Sequence, residues 1–464
     1  MTGDEQREAL ETRVAEWRAY LRRRQAIHTV DVEELEDHLR NQVAALAEAG
    51  LSDDEAFLVA VKRLGDLDAL SSEFARGYSE RLWKQLVVSP TGSDEANGSK
   101  LTDAMVAIGL AVAAALAIKL PALFGVGLED AAPAREAANF SFYARNLSLF
   151  VLPLLAGYFA WKRQVGRIGL RWLPVPFVAG AVFANAFPFA SEGHTAQLTA
   201  LHLPIALWLT VGYAYVGGHW RDHAKRMDFV RFSGEWFIYY ALIAFGGGVL
   251  MAFTFFVFAA IGFDAEWLLN SWLLPCGVVG AVIISAWLVE AKQSVIENMA
   301  PVLTRVFTPL FAAVLLAFLV TMVWTGSGIE VEREVLIGFD LLLVVILGLL
   351  LYSISARPPS ARPDAFDALQ LLLVVSALVI DTLALIAIAA RISEFGLSPN
   401  RVAALGLNLI LLVNLAWSAG LYARFLRGRV PFSALERWQT AYLPVYAIWA
   451  WFVVIAFPPV FGYI

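Results

Sequence analysis

The sequence predicts an all-α protein: a small cytoplasmic helical domain followed by a polytopic transmembrane helix bundle of about eleven spans. Three observations carry the prediction. First, charge changes character near position 100: residues 1–99 hold twelve Lys and Arg against twenty Asp and Glu, a net −8, while the remainder holds 23 against 21, a net +2. Second, 59% of the chain is hydrophobic and 16% charged, with a mean hydropathy of +0.63, outside the range of an ordinary globular enzyme. Third, apolar runs of about 20 residues, the length that crosses a bilayer core, recur from Leu101 to the end. Fifteen Trp and 31 Phe suit helix ends at headgroup level.

Taken in order, the first 88 residues read as three or four amphipathic helices. Leu10, Val14, Trp17 and Leu21 mark the first; Val32, Leu35, Leu39, Val43 and Leu46 form the stripe of the second, which ends at Gly50. Ser52 to Glu55 is a capping box, in which the serine hydroxyl accepts from a backbone amide and the glutamate reaches back. The helix behind it would bury Phe57, Ala60, Val61 and Leu64 and stop at Gly65; a last one carries Leu70, Phe74, Tyr78 and Leu82. Residues 89–100 have linker composition. The start, MTGDEQREAL, lacks a signal peptide's basic and apolar regions, so the spans themselves are expected to direct insertion.

The run VEELEDHLRNQVAALAEAGLSDDEAFLVAVKRLGDLDALSSEFAR, Val32 to Arg76, resembles the permease prefix or HTH-associated alpha-helical signalling (HAAS-like) domain over residues 5–85. The resemblance implies a coupling module that touches another protein, a PadR-like transcriptional regulator among the possibilities; the plainer reading is a folded cap that aids insertion. A module at −8 cannot bind nucleic acid by counterion release, and an anionic leaflet repels it, so a protein with a basic face is the expected partner and direct nucleic-acid binding is not.

The spans are expected to centre on 103–124, 143–161, 172–189, 199–217, 235–261, 267–289, 305–324, 335–353, 368–390, 402–422 and 441–459. Alternate loops carry sixteen Lys and Arg on one side and five on the other, the five being Arg135, Arg145, Arg333, Arg391 and Arg401. By the positive-inside rule the amino terminus is expected to be cytoplasmic and the carboxyl terminus external; the resemblance of the amino-terminal run implies a bacterial inner membrane.

From Asp381 the sequence DTLALIAIAARISEFGLSPNRVAALGLNLILLVNLAW resembles a bacterial family of polytopic membrane proteins of undefined function, most strongly over 365–430. The shared feature is an R-I-x-E/Q-Y-G-L-T-x-x-R turn, here Arg391 to Arg401, with Phe395 in place of the tyrosine and Ser398 of the threonine. Gly396 permits a positive φ after a helix, and Ser398 can cap the next one with Pro399 at its first position. Arg391 and Arg401 put two cations in a short external loop, where Glu394 could neutralise one. A structural clamp and an external anion or lipid-headgroup contact both remain open for them.

Charges inside spans cost on the order of 3 kcal/mol and face the bundle interior. Lys119, Asp340 and Asp381 fall in the same half of the membrane, with Arg145 at that level. Pairing of an aspartate with Lys119 or Arg145 is therefore expected, either as an ion pair fixing helix arrangement or as an outward-opening polar cavity for a proton, ion or solute. Asn408 and Asn414 are expected to bond between helices. His219 and His223 have i,i+4 spacing, but Arg221, Lys225 and Arg226 would repel a cation, so no metal site is expected. Gly246 to Gly248 suggest close helix contact or bending. Cys276 stands alone, and no Walker A loop, nucleophile elbow, HExxH or dinucleotide fingerprint occurs. No enzyme activity and no cofactor is expected. Beyond the bilayer itself, the ligand is left unnamed. The leading reading is sensing or signalling through the amino-terminal module; the alternatives are a secondary transporter or permease component using Asp340 and Asp381, and a non-catalytic scaffold.

Overall fold

In a computed structural model the chain divides into two compact units, 1–97 and 98–464. The structure describes residues 94–127, 133–190, 193–260, 266–291, 299–325, 333–357 and 361–464, together with isolated positions between 14 and 60.

In the first unit the described positions are helical, and Val14, Leu39, Val43, Phe57 and Ala60, all from the expected stripes, are buried. Arg40 and Glu36 form an i,i+4 ion pair at 2.9 Å on the polar face. Leu46 of the same stripe is helical and partly buried; the remaining stripe residues, Gly50, the Ser52 end of the capping box, Gly65 and the helix expected over 68–82 lie outside the described residues.

In the second unit every described element is helical and no strand occurs among the described residues. The order is α1 (Asp94–Ala117), α2 (Pro133–Lys162), α3 (Arg167–Trp172), α4 (Pro174–Ala186), α5 (His194–Tyr215), α6 (His223–Ala260), α7 (Glu266–Leu268), α8 (Leu274–Ala291), α9 (Met299–Thr325), α10 (Arg333–Ala356), α11 (Ala365–Phe395), α12 (Pro399–Leu426) and α13 (Ser433–Val460). Among the described residues eleven helical stretches are long and apolar enough to cross a membrane; α3 with α4 makes one of them and α7 with α8 another, the latter joined by a π turn over Leu269–Leu273. They coincide with the eleven expected spans to within a few turns. Helix α1 starts at Asp94, inside the stretch expected to be linker.

Among the described residues the body has two large apolar cores and smaller satellite clusters. One gathers α1, α2, α4, α5 and α8, with Leu155, Phe159, Leu203, Leu207 and Ile283 among its fully buried side chains. The other gathers α9 to α13, with Leu315, Ile346, Leu350, Leu373 and Leu415. Helix α6 serves both from alternate faces: Phe229 and Phe232 enter the first core, Met227 and Val230 the second. Prolines inside α2, α5, α9 and α13 are tolerated because these helices are packed or lipid-embedded over their length.

Ion pairs lock one end of each core. Glu290, at the end of α8, receives Lys162 at 3.4 Å and Arg163 at 2.8 Å, and Lys162 also reaches Asp103 of α1 at 3.3 Å. In the second core Arg357, just past α10, forks onto Asp367 of α11 with distances of 2.8 and 2.9 Å, and its guanidinium packs against the edge-on pair Phe425 and Phe432. Asp367 doubles as the third residue of a reciprocal capping box with Asp364, which starts α11.

Candidate functional site

A buried polar cluster lies where α10, α11 and α12 meet. Asn408 of α12 is fully buried; its Nδ2 donates to Oδ1 of Asp340 on α10 at 2.7 Å and to the Ala404 carbonyl at 2.8 Å. Asp381 of α11 is also fully buried and lies within electrostatic range of Asp340. Both carboxylate oxygens of Asp381 and the Oδ1 of Asn408 are buried without a hydrogen-bond partner. Asp340 is half-buried and so is the member through which the cluster reaches its surroundings. Counting along the helices at 1.5 Å per residue, the cluster is about 10–20 Å from the end of the bundle that carries the 396–398 turn.

The expected pairing of these aspartates with Lys119 or Arg145 does not form. Lys119, which follows α1, stands 4.8 Å over the Trp272 ring. Arg145 donates to the Ala184 carbonyl at 3.1 Å and to Ser141 Oγ at 2.7 Å, and lies 4.8 Å from the Phe189 ring. Ala184, which holds Arg145, belongs to the first core, whereas Ala404, which Asn408 bonds, packs with Leu336 of α10 and Ala387 of α11. Equal depth in a membrane fixes height, not which helices are neighbours. Among the described residues no cation pairs with Asp340 or Asp381.

The turn after α11 has the expected geometry. Gly396 has φ +75°, Ser398 accepts from the Arg401 amide at the start of α12, and Pro399 occupies the first helical position. Arg401 is not neutralised by Glu394; it donates to the carbonyls of Phe395 and Gly396 at 2.9 and 2.8 Å and lies over the Phe395 ring, as does Arg391. Arg401 thus ties together the end of α11 and the start of α12 by satisfying carbonyls that a helix terminus leaves open. The clamp reading fits it, and an anion site does not need to be invoked.

The other expectations divide. Asn414 bonds between helices as expected, donating to Gln439 of α13 at 3.0 Å. His223 engages Thr440 at 2.8 Å and accepts from Arg226, and no group of three or more His, Cys, Asp or Glu able to hold a metal occurs among the described residues. A Cβ built on Gly246, Gly247 or Gly248 would meet nothing within 4 Å, so the triplet makes no close helix contact among the described residues. Close approaches fall elsewhere: Gly406 of α12 lies against Trp449, Gly234 against Tyr352 and Gly212 against Phe229.

Several polar groups that bond between helices were missed in the sequence. Gln370 donates to Thr308 at 3.0 Å and Ser353 at 2.7 Å, and Asn146 and Asn185 exchange bonds at 2.9 and 2.7 Å. Their signal was a polar residue inside an apolar run.

No family model matches the chain, and neither a curated protein nor a solved structure matches it. The class is therefore defined by the architecture alone: an all-α, multi-pass membrane protein with a separate helical amino-terminal unit.

Proposed function

We propose that this is a bacterial inner-membrane signalling protein, with a cytoplasmic amino terminus and an external carboxyl terminus. Its membrane body senses an external or lipid-phase condition, and residues 1–88 pass the change to a cytoplasmic protein. The observation that carries the reading is an acidic helical unit with its own buried apolar positions, joined to a multi-pass body. The resemblance to the HAAS-like domain supports a PadR-like regulator as partner, and the net −8 supports a basic protein surface over nucleic acid. A second reading, a secondary transporter, is favoured by one feature only: the buried carboxylate of Asp381 beside Asp340.

Crosslinking in intact cells tests the first reading. Wild type should capture a cytoplasmic protein, and Leu39→Asp, which puts a charge at a fully buried position of the module, should lose it while the membrane body persists. Equal capture by both proteins would refute the coupling role. Solute-driven flux in proteoliposomes, with no partner captured, would favour transport.

A further inference from the structure

Asp340, Asp381 and Asn408 present an oxygen-only cluster in which the acceptors outnumber the donors. Asn408 Nδ2 already serves Asp340 and Ala404, which leaves Asp381 Oδ1, Asp381 Oδ2 and Asn408 Oδ1 buried with no donor. Two carboxylates share the cluster and no cationic side chain among the described residues pairs with either. Both the charge and the acceptor excess call for a positive ligand.

We propose that these three side chains bind one dehydrated alkali cation, sodium being the physiological ion of that class, between α10, α11 and α12. Hard cations take oxygen ligands, and every unpartnered atom here is oxygen. A proton on Asp381 would supply one donor, satisfying its own oxygen and one acceptor, and would leave a third oxygen without a partner. A metal cation needs no hydrogen on any of these oxygens and can take several of them at once. Magnesium, which keeps several waters, fits these buried oxygens less well. Half-buried Asp340 is the side from which the ion enters. The proposal concerns binding and does not rest on whether the body signals or transports.

The test uses the purified full chain in detergent at fixed pH and ionic strength, followed by thermal unfolding in sodium, lithium, potassium or choline chloride. A ligand that binds only the folded state raises the unfolding midpoint progressively with its concentration. The midpoint should climb with sodium and stay flat in choline, and Asp381→Asn should lose the sodium response. Superimposable sodium and choline curves for wild type, or a full sodium response in Asp381→Asn, would overturn the proposal. A midpoint that follows pH but ignores sodium would overturn it in favour of a proton. Should Asp381→Asn fail to fold, radioactive sodium binding to wild type decides: saturable uptake of one ion per chain, displaced by unlabelled sodium and not by choline, supports the site, and its absence ends it.

Discussion

Arg357→Met should be among the most destabilising single changes in the second core. The arginine's fork is largely buried, 13% exposed against 2% for Asp367, and it packs against Phe425 and Phe432 at 4.9 and 4.4 Å from their centroids. It also donates to the carbonyls of Ala361 and Arg362 in the α10–α11 connection. Removing one partner of such a pair leaves an uncompensated buried charge, which costs about 3–5 kcal/mol, and the lost cation–π contacts lie within that figure. Met fills most of the stem volume, so the loss is electrostatic rather than a cavity. Asp367→Asn keeps the shape of the capping box and should cost about 2–3 kcal/mol. If the two act as one unit, the double variant should be about 2 kcal/mol more stable than the sum of the singles predicts. Unfolding free energies from denaturing-detergent titration in micelles measure all three. A loss below about 1 kcal/mol for Arg357→Met, or strict additivity in the double variant, would refute the reasoning.

Other outcomes follow from single features. On α12, Gly406→Ala drives a methyl into the Trp449 ring and should cost about 1–3 kcal/mol, whereas Gly420→Ala meets open space and should gain up to about 1 kcal/mol; thermal midpoints compare them. Ser398→Ala removes the cap of α12 and should lower stability by about 1 kcal/mol in the same assay. In a Cys276→Ala background, an impermeant thiol reagent should label Ser191→Cys in intact cells and spare Gly428→Cys; the opposite pattern would invert the proposed topology.

The spans were legible because an apolar run of fixed length is the strongest signal a membrane chain carries. The α11–α12 turn was legible too, since Gly396, Ser398 and Pro399 each answer a local backbone demand. Neighbour relations were not. Asp340 and Asp381 stood out as charges in apolar runs, and Asn408 as a helix-bonding amide, but their meeting depends on how α10, α11 and α12 are rotated about their axes. The same gap led Lys119 and Arg145 to be grouped with the aspartates, although Trp272 and the α4 backbone hold them. Glu290 and Asp367 were hidden for another reason: at helix ends they look like ordinary loop charges, and only packing shows that they are buried.

Helix α6 has a mechanical consequence. Its 38 residues make a rod about 57 Å long, nearly twice the hydrocarbon thickness, with no proline in it. One end is clamped: Arg231 grips the Ser355 carbonyl, Trp236 donates to Val282 at 3.0 Å, and Gly234 admits Tyr352. Beyond the clamp no residue of its most apolar window is buried, and the Gly246–Gly248 triplet softens the rod partway along. Such a geometry is a cantilever rooted in both cores. A tilt of about 6° at the root carries the far end about 3 Å over the remaining membrane thickness of about 30 Å. In a bilayer, lipid rather than protein would face that arm, so bilayer thickness and lateral pressure would act on a helix whose root contributes to both cores.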